Sequence, residues 1–256
     1  MRLGVASSFN CDPLRRWLKF WLKEVGIHAE LSFAGYAQLG QELSRPDAFD
    51  GAAACAALLN LADWQRGQAF DASRFDADLQ LLCDGLEAAL PQLSGRLLVL
   101  LCPARPISGG AERAAAFSSA TARLKEMAVR EPRLSVVSVA ELMAWYPVQS
   151  PFDRTADELG HVPYSEPMWC ALGAACARVL RPSFAPPLKA IVVDCDYTLW
   201  QVRSPDLARP RPIWPDHCGA GPRCGGSMPS ARWGPTAWSS SRATASCRRV
   251  ISPDLP

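Results

Sequence analysis

A three-layer α/β/α fold on a parallel sheet is the fold class this sequence predicts for residues 1–181, and two observations predict it. Short apolar runs of strand length alternate five times with segments of helical period between Met1 and Val139. Such alternation implies parallel strands, because each strand must be followed by a crossover helix before the next can lie beside it. The apolar fraction, 49% of 256 residues, is ample for a buried core.

Leu3 to Ala6 reads as the first strand. Asp12 then caps a helix with Pro13 at its first position; Leu14, Trp17, Leu18, Trp21, Leu22 and Val25 make one apolar face, and Gly26 ends it. His28 to Ala34 alternates as a second strand, and Gly35-Tyr36 turn the chain into a short helix stopped before Pro46. Ala52 to Leu61 suits a buried third strand. Phe75 to Leu90 is helical, Arg96 to Cys102 is a fourth strand, Ala111 to Val129 is a helix, and Leu134 to Val139 is a fifth strand. Tyr146 to Pro163 reads as an irregular connection, long enough to line a site or wrap the sheet edge. Helix Glu166 to Leu180, with Trp169, Leu172, Ala175, Cys176 and Val179 on one side, docks back on the domain. A proline-rich linker at 182–187 ends it. The outline is flavodoxin-like. Gly109-Gly110 lacks both the spacing and the Lys of a phosphate cradle, so nothing supports nucleotide binding there.

Beyond the linker, residues 188–200 read LKAIVVDCDYTLW. The apolar run Ala190 to Val193 delivers Asp194 and Asp196 to the end of a buried strand, with Thr198 two residues on. In an open parallel sheet the ligand crevice lies at the carboxyl ends of the strands. One acid there can attack phosphorus while its neighbour trades a proton with the leaving or incoming oxygen. Two carboxylates so close repel unless a cation lies between them, which implies Mg²⁺ on Asp194 and Asp196.

At these residues the chain resembles the haloacid-dehalogenase superfamily and, within it, the FkbH-like branch. Gly160-His161-Val162-Pro163-Tyr164, the helix Glu166 to Leu180, and DCDYTLW stand in that family's order. Tyr197 replaces the family's Asn, and Gln201-Val202 stand where Gly-Gly should follow Trp200. The resemblance implies a protein of polyketide extender-unit biosynthesis. Its relatives take a glyceryl group from the acyl phosphate 1,3-bisphosphoglycerate, remove phosphate, and load the unit on an acyl carrier protein. It also implies Asp194 as nucleophile, Asp196 as general acid/base and Thr198 as loop support.

Strand ends in the first domain offer a second candidate site. Ser7 and Ser8 follow strand one, Gly35 follows strand two, Asn60 closes strand three, and Asp157 with His161 lies late in the domain. This order resembles the SGNH, or GDSL-like, hydrolases, which would make them nucleophile, oxyanion donors and an oriented general base. Asp157 to His161 is one residue longer than the D-x-x-H of that family. Each residue also has a plain structural role open to it, as turn former, strand terminator or loop tie. A third reading is non-catalytic: a docking module for a carrier protein, which would need a local basic patch such as Arg15 and Arg16 to meet an acidic partner.

After Trp200 the composition changes. Residues 201–256 hold nine Pro, eight Ser and eight Arg but no Lys, Glu, Phe or Tyr, and no helical or strand period survives. Such a segment is expected to be disordered, for want of apolar surface to bury. It is also what a GC-rich gene yields out of frame. The expectation is therefore the first strand of a truncated haloacid-dehalogenase-like Rossmannoid domain, inactive for want of its later motifs, then an unrelated tail. His217, Cys218, Cys224 and Cys247 fit no common zinc spacing.

Residues 1–200 carry 19 basic and 22 acidic groups and residues 201–256 carry 8 and 3, an asymmetry that does not imply nucleic acid, because the tail's Arg is dispersed among Pro and Ser. Cys11, Cys55, Cys83, Cys102, Cys170, Cys176 and Cys195 are scattered singly in apolar segments, as in reduced proteins. With no signal peptide and no membrane-length apolar run, a cytoplasmic protein is expected.

Overall fold

The computed structural model describes residues 1–45, 47, 49–106 and 110–184. The chain divides into units Met1–Lys189 and Ala190–Pro256, and the described residues all belong to the first. Asp194, Asp196 and Thr198, the 188–200 strand and the 201–256 tail lie outside them.

Five strands, β1 (Arg2–Ser7), β2 (Glu30–Phe33), β3 (Ala54–Leu59), β4 (Arg96–Leu101) and β5 (Leu134–Val137), form one sheet in the order β2-β1-β3-β4-β5. Every pairing is parallel, so all carboxyl ends lie along one edge. The order reverses between β1 and β3, where a flavodoxin-like sheet opens its ligand crevice.

The two sheet faces divide the core by the period of two. Leu3, Val5, Ala54, Ala56, Leu58, Leu98 and Leu100 face α1 (Leu14–Glu24) and α7 (Glu166–Leu180). Ala6, Cys55, Ala57, Leu59, Leu97, Val99 and Leu101 face α2 (Leu39–Ser44), α3 (Ala72–Ala89) and α4 (Gly110–Arg130). That is the expected α/β/α sandwich. The helix α7 is apolar nearly all round because it is covered by α1 on one side and the sheet on another. Gly173 makes this possible: a Cβ there would stand 3.0 Å from the backbone of Trp17.

Several element boundaries differ from the sequence expectations. Asp12 does not cap α1; the helix starts at Leu14 after a backbone turn, with Leu14 N donating to Cys11 O at 2.9 Å. Gly26 does end it, at φ +74°, a conformation glycine adopts without strain. The third strand stops at Leu59, and Leu61–Gln65 form a 3-10 turn capped by Asn60, whose Oδ1 accepts from Ala62 N. The fifth strand stops at Val137 because Ser138 and Glu141 form a reciprocal capping box that opens α5 (Val139–Trp145). The connection read as irregular contains α6 (Arg154–Gly160), capped by Asp153.

Candidate functional site

Ser8 follows β1 and Asn60 follows β3, so the reversal of strand order brings them side by side at the carboxyl edge. Asn60 N donates to Ser8 Oγ at 3.0 Å. The capped 3-10 turn then lifts Asp63 over both. Its Oδ2 accepts from Ser8 Oγ at 2.6 Å, and its Oδ1 accepts from Asn60 Nδ2 at 3.2 Å and meets His161 Nε2 at 3.1 Å.

His161 arrives from the end of α6, 98 residues after Asp63. It caps α6 in the left-handed conformation, φ 51° and ψ 45°, a position usually given to glycine. The surrounding Gly160 to Tyr164 segment is pinned on several sides: Asn10 N donates to His161 O, and Tyr164 Oη donates to Pro103 O, both at 2.9 Å. Tyr164 also stacks edge-on against Phe9 and Trp169, with centroids 5.1 and 5.4 Å apart. This packing aims the imidazole at Asp63. An ionised carboxylate only accepts, so Nε2 carries the hydrogen in that contact, and Nδ1 lies 2.7 Å from Tyr36 Oη.

The sequence-selected residues therefore divide. Ser8, Asn60 and His161 come together, but through Asp63. Ser7 is buried and donates to Phe9 O at 2.5 Å. Gly35 N donates to Gln38 Oε1 at 3.0 Å. Asp157 does not pair with the imidazole: its Oδ1 takes Arg66 Nη1 at 2.6 Å and its Oδ2 takes Arg105 Nη1 at 3.1 Å. His161 leaves α6 in the left-handed conformation, and its ring meets Asp63 and Tyr36 instead. Asp63 and Tyr36 were not anticipated. Asn60-x-x-Asp63 directly after a buried strand is a helix-start signature that pointed to the turn, and nothing local marked Tyr36.

Chemically the cluster is closed. Both imidazole nitrogens are engaged by Asp63 and Tyr36, so neither faces the Ser8 hydroxyl as a triad base would. The two oxyanion-donor candidates are bonded too, Gly35 N to Gln38 and one Asn60 Nδ2 hydrogen to Asp63, and Ser8 N donates to Leu58 O at 3.1 Å. Beside the cluster lies a cavity of about 660 Å³. Ser8 and Asp63 form part of its polar wall, and Leu39, Leu43, Trp64 and Leu82 its apolar wall. Among the described residues no group of three or more His, Cys, Asp or Glu could hold a metal ion, and no helix is long and apolar enough to cross a membrane.

The chain is similar to a solved structure, the N-terminal part of the protein BF1531 from Bacteroides fragilis, which contains a phosphatase domain and is complexed with Mg. The likeness is one of fold. The TM-score is 0.62 at 14% identity, over 80% of this chain and 58% of that one. This chain thus spans less than two thirds of that structure. A lipase/acylhydrolase from Enterococcus faecalis aligns with a TM-score of 0.45 and 13% identity, over 73% of this chain and 98% of its own. No protein-family model and no curated protein matches the sequence.

Proposed function

We propose that this chain is an FkbH-like protein whose first domain binds an acyl group on its carrier protein and does not hydrolyse it. The observation that carries this is the closed state of the Ser8 cluster beside an open, largely apolar cavity. Both imidazole nitrogens, the Ser8 hydroxyl and the Gly35 amide are bonded inside the protein, as is one amide hydrogen of Asn60, and Ser8 and Asp63 border a cavity whose other wall is apolar.

The FkbH-like assignment itself is supported by the Asp194-Cys195-Asp196-Tyr197-Thr198 signature and by the Gly160 to Tyr164 segment that the fold uses to hold His161. By that resemblance Asp194 and Asp196 would hold Mg²⁺, which would supply charge neutralisation for transfer from an acyl phosphate. They lie outside the described residues, so this half rests on sequence alone.

A surface for the carrier is available on α1. Arg15, Lys19 and Lys23 recur every four residues along its exposed side, with Arg16 beside them. Arg15 lies over the Phe33 ring at 4.1 Å and Arg16 pairs with Glu166, which leaves the two lysines as the uncommitted charges among them. Carrier proteins are acidic, so this stripe has the complementary sign.

The test has two arms. Purified chain should retain an acidic acyl carrier protein in a pull-down and lose it when Lys19→Glu and Lys23→Glu are combined. It should hydrolyse p-nitrophenyl acetate no faster in the wild type than in Ser8→Ala or His161→Ala. Turnover that disappears with Ser8 would replace this reading with an SGNH-like esterase.

A further inference from the structure

A second cavity, about 390 Å³, shares Asp63 with the first but has a different character. Three guanidinium groups line it, each from a separate element. Arg66 follows the 3-10 turn, Arg105 follows β4, and Arg113 lies on α4.

Two of them are fixed from behind. Asp157, buried to 6% exposure, takes one guanidinium on each carboxylate oxygen, and Arg66 Nη2 also donates to Asp157 O at 2.9 Å. The arginine side chains themselves stay 43% and 34% exposed, so they run from the buried carboxylate out to the cavity. The turn presenting Arg66 is held by a reciprocal pair, Gln65 Nε2 to Asp71 O at 2.7 Å and Asp71 N to Gln65 Oε1 at 2.8 Å. Arg113 is held by aromatic faces instead, 5.8 Å from the Phe70 centroid and 5.5 Å from that of Phe117. Among the described residues it has no acidic partner.

Each guanidinium offers five N–H groups, of which Arg66 commits two and Arg105 one to Asp157. The cavity is thus bordered by three cations against the carboxylates of Asp63 and Asp157, and Asp63 is already satisfied by Ser8, Asn60 and His161. Arginines from three separate elements outnumber the two oxygens of a planar carboxylate. They suit a tetrahedral oxyanion with three terminal oxygens.

We propose that the Arg66–Arg105–Arg113 cavity binds a phosphate monoester. Asp157 is the positioning residue that sets two of the arginines, and Arg113 makes direct contact with the anion. The inference does not rest on the acyl-binding reading, because phosphate binding can hold where carrier binding fails, and the reverse.

The full chain is titrated with inorganic phosphate and with methyl phosphate at constant ionic strength, by calorimetry and by thermal unfolding. Saturable binding of both is expected, with methyl phosphate at least as tight. Arg113→Ala should weaken it roughly tenfold or more, the loss of one charge-assisted contact, with the melting temperature without phosphate checking that the variant is folded. Arg113→Lys should recover part of the affinity, and Arg105→Gln serves where Arg113→Ala does not fold. Heat and melting shifts no larger than with chloride, or an Arg113→Ala variant that binds like the wild type, would overturn the site. Tighter binding of inorganic phosphate than of methyl phosphate would overturn the monoester.

Discussion

Asp63 is where three side chains from three parts of the chain converge, and it shows how a residue gains a role its neighbours do not announce. Its carboxylate collects donors from Ser8, Asn60 and His161, and the imidazole passes the chain of bonds on to Tyr36. The sequence supplied Ser8, Asn60 and His161 as candidates because each follows a strand or sits in a recognisable loop. It offered Asp157 in place of Asp63, since Asp157 and His161 resemble the D-x-x-H pair of the SGNH hydrolases with one residue more between them. Which carboxylate reaches an imidazole depends on the left-handed turn at His161, a backbone state no side-chain pattern encodes. Glu141 carries a prediction at the same scale. Burial pushes its carboxyl up, but hydrogen bonds from Lys125 and from the Ser138 side chain and amide hold it below its usual 4.5. A lowered folded value means stability that is present above the unfolded value and lost as pH falls through the folded one. Urea midpoints from pH 6 down to pH 3 should therefore fall more steeply in the wild type than in Glu141→Gln, and parallel curves would deny the coupling.

At the scale of elements, the contact between α1 and α7 ties the start of the domain to its end. Trp21 Nε1 donates to Cys170 O at 3.1 Å across it, and Gly173 lets the helices meet backbone to backbone. A methyl at Gly173 would meet Trp17 Cβ at 3.0 Å and Leu18 N at 3.1 Å, a crowding that only a shift of the helices relieves. Gly173→Ala should gain a little helix propensity and lose more in packing, a net destabilisation of about 1–3 kcal/mol by overpacking. Equilibrium urea unfolding of the purified variant measures it, and an unchanged or higher midpoint would mean the helices yield freely. The helices themselves were legible: α1, α3, α4 and α7 follow apolar periods that survive in the structure to within a few residues. The short ones were less so. Ser138 with Glu141 is a cap signature, yet Val136, Val137 and Val139 continue a strand-like run through it, and only the formed capping box decides where β5 ends. Neither α5 nor α6 exceeds seven residues, too few for periodicity to separate from chance.

Across the whole molecule, thiol chemistry reports on the integrity of both faces of the sheet. The six cysteines among the described residues are free, and all but Cys170 are buried. Burial pushes Cys11 up to about 11 and Cys55 and Cys176 up to about 12, and it raises Cys102 well above its ordinary value. Thiols raised in the folded state give stability that is intact below their ordinary value of 9.0 and lost as pH climbs through 11 to 12, because only the unfolded chain ionises readily. The melting temperature should accordingly decline above pH 9. Iodoacetamide at pH 8 should modify Cys170 in the native protein, and Cys11, Cys55, Cys102 and Cys176 only after denaturation. Native labelling of those four would contradict the packed core. What the sequence by itself determined was the class and order of elements, the parallel sheet and the residues that fill it, because burial of apolar surface has a period that a linear string records. Which of Asp63 and Asp157 meets His161, and that three arginines from separate elements border one cavity, only the tertiary structure decided. Those contacts join residues up to 98 positions apart, and their geometry is set by the reversal of strand order and by single backbone turns.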